Sequence, residues 1–180
     1  MTTQESININ EKGKKGKMNL IVRDLFFNKI CASVLISNKL RSILYKWGGV
    51  ELEKGVTICP RCFVGNKYLF IGERTFINYN VWFNTAGEIN IGKYCNIGFG
   101  VTFITSTHEI ESSYRRAGKS ISKKIVIGDG TWVGAKSIVL PGVKIGKGVI
   151  IGAGSVVTKD CEDNCVYAGN PARLIRKLEG

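Results

Sequence analysis

The chain has 180 residues, of which 44% are aliphatic, aromatic or Cys and 22% are charged; this describes one globular domain and excludes a disordered or fibrous protein. Lys and Arg number 26 against 14 Asp and Glu, and the net charge of +12 attracts anions (nucleic acid, an anionic membrane, a phosphorylated small molecule) without choosing among them. The single His excludes any site built from several histidines, and 22 Gly with only 3 Pro point to repeated tight corners and not to collagen or a flexible linker.

Residues 1–17 are polar, Lys-rich and aperiodic, the pattern of a disordered tail. They lack the basic start and early apolar run of a secretory signal. Residues 18–49 predict a helical cap. Leu20, Ile21, Leu25, Phe26, Ile30, Cys31, Val34 and Leu35 recur at helical spacing, as do Leu40, Ile43, Leu44 and Trp47, and Gly48-Gly49 stops the pattern. Arg23, Asp24, Asn28 and Lys29 interrupt the first stretch, so it is no spanning helix. The reading is a soluble cytoplasmic protein, with peripheral membrane contact left open. There is no Lys/Arg run with interleaved aromatics and no nucleic-acid motif.

Over residues 50–172 the helical spacing gives way to a period of six. The aliphatic positions 127, 133, 139, 145, 151 and 157 form an unbroken series. Ile71, Ile77 and Phe83 keep the same step, as do Ile91, Ile97 and Phe103, so twelve positions obey one rule. A period of six is neither helical nor extended. It fits a short strand and a corner, repeated, with three units to a triangular coil and coils stacked about 4.8 Å apart. Residues 55–160, less an insertion over 105–124, give roughly five coils, a stack about 24 Å long with one inward aliphatic residue per face. Asn78, Asn84, Gly98 and Gly134 are assigned to left-handed corners. A stacked prism leaves unpaired strand edges at its ends, and residues 20–47 are the obvious cover for one end. Residues 173–180 form a basic C-terminal segment.

Six cysteines stand at 31, 59, 62, 95, 161 and 165. Cys59 and Cys62 have CxxC spacing, but no His is near, and small apolar thiols in a reducing compartment are the simpler reading; no metal site is expected.

The repeat, together with Trp82-Phe83-Asn84, Ile104-Thr105-Ser106-Thr107-His108-Glu109, Ile127-Gly128-Asp129-Gly130-Thr131-Trp132-Val133-Gly134-Ala135, Leu140-Pro141-Gly142-Val143, Ile151 to Asp160 and Ala168-Gly169-Asn170-Pro171-Ala172-Arg173, resembles the hexapeptide-repeat acyltransferases. The likeness is to the maltose and galactoside O-acetyltransferase branch, especially its sugar O-acetyltransferases of capsule and surface-polysaccharide clusters, and spans about residues 40–178. It implies an all-β solenoid: a left-handed parallel β-helix with an N-terminal helical cap and an extruded active-site loop. The hand comes from the resemblance alone, because it departs from the usual crossover rule. The N-terminal segment and the short loop Thr85-Ala86-Gly87-Glu88 depart from the maltose-type enzymes, so the acceptor stays unnamed.

The resemblance further implies acetyl-CoA as donor, no metal, a sugar or glycan-precursor hydroxyl as acceptor, and a homotrimer with sites between subunits. His108 takes the place of the catalytic base; an ordinary imidazole titrates near pH 6.5, suited to that role. Asn84 takes the place of the residue that hydrogen-bonds the acceptor. Trp132, Ala135, Ala153, Thr158, Lys159, Arg173 and Arg176 match positions along the coenzyme, the cations near its phosphates. Arg115, Arg116 and Lys119 lie in the His loop, where they would attract an anionic acceptor. The alternatives are an acetyltransferase for a non-sugar or amino acceptor, and a non-catalytic β-helix binding protein. A zinc enzyme on the same prism needs three His per metal and is excluded.

Overall fold

The computed structural model describes residues 20–179; the tail expected over 1–17 lies outside the described residues. The chain opens with α1 (Leu20–Leu25), continues through a π-helical turn over Phe26–Cys31, and enters α2 (Asn38–Trp47). The Ser37 hydroxyl caps α2 by accepting the Leu40 N–H at 3.3 Å.

From Glu51 the chain winds as a solenoid. The first coil is β1 (Glu51–Leu52), β2 (Thr57–Ile58) and β3 (Phe63–Val64). The second is β4 (Leu69–Ile71), β5 (Phe76–Ile77) and β6 (Trp82–Asn84), and the third is β7 (Ile89–Ile91), β8 (Asn96–Ile97) and β9 (Thr102–Ile104). A hairpin of β10 (Ser106–Ile110) and β11 (Ala117–Ser122) then leaves the solenoid. The fourth coil is β12 (Ile125–Ile127), β13 (Trp132–Val133) and β14 (Ile138–Val139), and the fifth is β15 (Lys144–Ile145), β16 (Ile150–Ile151) and β17 (Val156–Val157). A partial sixth coil begins where Cys161 bridges Ile145 and continues into β18 (Cys165–Gly169). Residues that the sequence leaves as a basic tail form β19 (Ala172–Lys177), which folds back antiparallel on β18. Three parallel faces result: β1-β4-β7-β12-β15, then β2-β5-β8-β13-β16-β18, then β3-β6-β9-β14-β17.

The period-six residues point inward. Ile71, Ile91, Ile127 and Ile145 stack on the first face, Ile77, Ile97, Val133 and Ile151 on the second, and Phe83, Phe103, Val139 and Val157 on the third, each at most 2% exposed. Leu52, Ile58 and Val64 add a coil upstream of the repeat found in the sequence. A second inward row lies two residues earlier; it takes Leu69, Ile89 and Ile125 on the first face and smaller side chains, Thr, Cys, Ser or Val, on the other two. There the Thr75 hydroxyl donates to the Gly92 carbonyl at 2.7 Å and Thr131 to Gly146 at 2.8 Å, so burial leaves no orphan. Cys62, Cys95 and Cys165 occupy this row, and all six cysteines are buried and free.

The corners differ from the sequence expectation. Positive φ falls three residues before the inward residues of the second and third faces, at Arg61, Arg74, Asn80, Tyr94 and Lys136 (54–62°) and at glycines such as Gly100 and Gly130, but not before Ile71, Ile91 or Ile127 on the first. Asn78, Asn84, Gly98 and Gly134 directly follow the inward residue and are not left-handed. Gly98 and Gly134 are required for a different reason: a Cβ on either would lie 2.6 Å from the backbone nitrogen of Ala135 or Ala153 in the next coil.

The cap closes the first coil's open edge. Asn28 Oδ1 accepts the Val64 N–H at 2.9 Å, and the Ala32 carbonyl accepts the Arg61 N–H at 2.8 Å. Arg41 is fully buried, with no carboxylate partner among the described residues. Its guanidinium donates to the carbonyls of Cys31 (2.8 Å), Ser33 (2.8 Å), Ile36 (2.6 Å) and Ile58 (3.0 Å), and to Asn38 Oδ1. Five donors meeting five acceptors make a buried cation tolerable.

Candidate active site

The hairpin springs from the edge between the third and first faces. Its base is tied twice: the Lys123 N–H donates to the Thr105 carbonyl at 2.8 Å, and Lys124 Nζ pairs with Glu88 Oε1 at 2.8 Å. The hydrogen bond from Lys124 holds the Glu88 carboxyl below its ordinary value.

His108 sits on β10, opposite Ser120, two residues above that base. Between His108 and Ile110 the register shifts, because Gly118 and Lys119 together oppose Glu109. Such a bulge re-aims the backbone. Here it accompanies a 2.9 Å bond between His108 Nδ1 and the Gly118 carbonyl. A carbonyl only accepts, so Nδ1 carries the proton of the neutral ring and the lone pair is on Nε2. The imidazole is solvent-exposed. It is therefore oriented, accessible and able to take a proton.

Asn84 ends β6 on the same edge, one coil below the hairpin's coil, and pairs in register with Ile104. Two hairpin-base residues hold it. The Thr105 hydroxyl donates to the Asn84 carbonyl while accepting the Gly87 N–H, and the Ser106 hydroxyl donates to Asn84 Oδ1 at 3.3 Å. With Oδ1 held, the Nδ2 hydrogens are the group's remaining hydrogen-bonding capacity. The structure thus brings Asn84 and His108 to one edge. Sequence reasoning missed Ser106, Thr105 and Gly118 as their supports. Gly118 carries no motif signal, since its role depends on the register of a bulged hairpin.

Trp132, Ala135 and Ala153 gather elsewhere. Trp132 projects from the second face, 55% exposed, and Ala135 and Ala153 stack at the edge between the second and third faces. The Ala135 carbonyl accepts the Gly154 N–H at 2.8 Å, but the N–H groups of Ala135 and Ala153 donate to no described residue. Two small residues with open N–H groups one coil apart form a surface on which an amide-bearing chain can lie closely. Arg173 and Arg176, on β19, lie exposed at the end of the second face, opposite Ala168 and Val166. Thr158 and Lys159 do not join them: they are exposed on the hairpin's edge, two coils beyond the hairpin's coil. Arg115, Arg116 and Lys119 are exposed in the hairpin, with Arg116 Nη1 donating to the Glu111 carbonyl at 3.3 Å.

One prism therefore carries two separated clusters. A face of about six residues sets them up to roughly 20 Å apart. Among the described residues, no group of His, Cys, Asp and Glu could hold a metal ion, and no helix is long and apolar enough to cross a membrane.

Comparisons with known proteins fit this geometry. Residues 124–159 match the model of the bacterial transferase hexapeptide (six repeats). The chain is 40% identical over 114 residues to a galactoside O-acetyltransferase of Lactococcus lactis subsp. lactis, covering 63% of this chain and 55% of that one. It spans little more than half the length of that relative. Among solved structures, a maltose O-acetyltransferase from Clostridium difficile 630 superposes with a TM-score of 0.78 at 29% identity, covering 91% of this chain and 90% of that one. A hexapeptide-repeat-containing acetyltransferase from Vibrio cholerae O1 biovar eltor, solved with acetyl coenzyme A, gives 0.75 at 32% identity, covering 87% and 84%. With the six-residue ladder, the extruded His hairpin and this likeness over nearly the whole solenoid, the chain belongs to the hexapeptide-repeat transferase family.

Proposed function

We propose that this protein is an acetyl-CoA-dependent O-acetyltransferase, acting on a sugar hydroxyl in surface-polysaccharide biosynthesis with His108 as general base. The observation that carries the reading is the Nδ1 bond to Gly118, which leaves an exposed Nε2 lone pair on the same edge as the Asn84 amide. Nε2 takes the acceptor hydroxyl's proton while Asn84 Nδ2 orients its oxygen. The oxygen bonds to the acetyl carbon, the C–S bond breaks, and the imidazolium returns the proton to the departing thiolate. The Ala135 N–H, which has no partner among the described residues, suits the developing oxyanion. Trp132 and the Ala153 N–H line the coenzyme's arm, and Arg173 and Arg176 of the same copy meet its phosphates; Thr158 and Lys159, on the hairpin's edge, reach them only from a neighbouring copy. No covalent enzyme intermediate is needed, so kinetics are sequential. The named galactoside and maltose enzymes support a sugar acceptor.

The two clusters meet only if copies associate. The third face runs between them, and its outward ladder, Phe63, Trp82, Thr102, Ile138 and Val156, holds no charge. Phe63 and Trp82 stack at 3.8 Å, yet Trp82 is 47% exposed. Packing three such faces about an axis sets the His108 edge of each copy against the Ala135 edge of the next. This supports a homotrimer with sites between subunits. Six buried, unpaired thiols suit a reducing compartment and support a cytoplasmic location. Calorimetry at low ionic strength tests the donor: acetyl-CoA binds, and more weakly as salt rises. Absence of affinity overturns the enzyme reading. A panel of sugar acceptors then identifies the hydroxyl.

A further inference from the structure

We propose that the N-terminal cap seats this protein on an anionic lipid surface. The cap buries little of its own apolar content. Leu20, Val22 and Leu25 on α1 and Leu40, Ile43 and Trp47 on α2 are all about half exposed or more, Trp47 at 81%. Leu40, Ile43 and Trp47 fall at i, i+3 and i+7, one stripe of α2, opposite the side that buries Arg41 and Tyr45. Phe26 bridges the two helical segments by packing edge-on against Trp47, with ring centroids 5.9 Å apart, so their apolar surfaces meet. A patch of this kind marks an interaction surface.

Charge chooses the occupant. Residues 12–47 hold nine Lys and Arg and one acid, Asp24, which is already paired with Arg23 at 2.8 Å. Lys39 and Lys46 each precede a stripe residue on α2, and both are exposed, as is Lys29. An apolar stripe flanked by lysines, with Trp at its end, matches the boundary between lipid tails and anionic headgroups. The chain's own first 19 residues are a poor cover, since Met1, Ile7, Ile9 and Met18 are their only large apolar side chains. A second copy would bring two strongly basic caps together, at a cost that anionic lipid avoids. If the protein is the trimer proposed above, three parallel prisms place three caps at one end of the assembly, and their weak affinities multiply.

The test is co-sedimentation of the full-length protein with vesicles of phosphatidylcholine alone, or with about one third phosphatidylglycerol. Wild type sediments with the anionic vesicles, less so as salt rises, and stays in solution with the neutral ones. Ile43→Glu with Trp47→Glu lowers binding at least about tenfold, because an apolar contact is replaced by charge repelled from the surface. Lys39→Glu with Lys46→Glu also lowers binding, and neither pair alters acetyl-CoA affinity or molar mass in solution. Wild type that ignores anionic vesicles overturns the proposal, as does binding unchanged by both pairs. A loss of molar mass in the Ile43/Trp47 pair without lipid assigns the face to a second copy, and overturns it too.

Discussion

In the solenoid, every six-residue step buries one aliphatic side chain against the coils on either side, and the twelve repeat positions are at most 2% exposed. In the hairpin that interrupts it, no residue of β10 or β11 is buried, and one hydrogen bond from His108 to the Gly118 carbonyl sets the imidazole's orientation. The difference separates stability from chemistry. Repetition makes the prism rigid because each inward residue of the inner coils has like neighbours in the coils before and after it. The imidazole proposed as base stands where repetition stops, with its ring open to solvent and its geometry held from a tied base.

Substituting one residue in each region tests that separation. His108→Ala should lower kcat about 10²–10⁴-fold, the worth of a positioned base, in steady-state acetyl transfer. Its unfolding free energy should stay within about 0.5 kcal/mol of wild type. Loss of the oligomer together with activity would show that the hairpin is structural after all. Phe103→Ala should do the reverse. Phe103 stacks on Phe83 at 5.4 Å inside the prism, and truncation should cost about 3–5 kcal/mol in urea titration.

Smaller effects sharpen the comparison within the solenoid itself. In Gly134→Ala the new Cβ meets backbone of the next coil at 2.6 Å, and about 1–3 kcal/mol should be lost. Alkaline pH should act on the inner row. Burial pushes the Cys62 thiol from 9.0 up to about 12. Between those values the unfolded chain has lost a proton that the folded chain keeps. The thiol's contribution is therefore intact below pH 9 and falls by about 1.4 kcal/mol per pH unit above it. Cys62→Val, a substitution to a residue that this row accepts at Val56 and Val81, should flatten that decline in denaturation curves taken at rising pH. Lys136→Gly should change least. The φ of 62° favours glycine, but the lysine lies 4.7 Å from the Phe99 ring centroid, and the two effects should cancel to within about 1 kcal/mol. A loss at Lys136 as large as that at Gly134 would mean that the two corner positions are equivalent, contrary to their different geometry.

Much of the prism was legible because its rule is local and repeated: Ile127 to Val157 announce the step with no knowledge of neighbours. The first coil was legible as part of the solenoid's span, but its inward residues were not legible as members of the series, since Leu52 and Ile58 lack the Gly that directly follows Ile71, Ile91, Ile127 and Ile145. Arg41 stands between apolar helix positions in the sequence, and nothing in its neighbourhood announces four carbonyls converging on a guanidinium. The strand β19 was hidden for a similar reason, because a basic segment pairs with Cys165–Gly169 only once the sixth coil offers an edge.

The sequence by itself determined the period, and with it which side chains fill the prism. Each inward position needs only an aliphatic residue at a fixed step, and that requirement is written locally. It also marked His108 as the one imidazole in the chain. Tertiary structure alone decided that Gly98 and Gly134 serve close coil packing while Asn80 and Lys136 take the left-handed turns, because the contact at issue is with a coil many residues away. It alone set which nitrogen of His108 holds the proton, through a bulge that aims one carbonyl. And it alone placed the His108–Asn84 pair and the open N–H groups of Ala135 and Ala153 on different edges, since winding three strands to a coil assigns residues to edges by their phase in the repeat and not by their nearness in sequence.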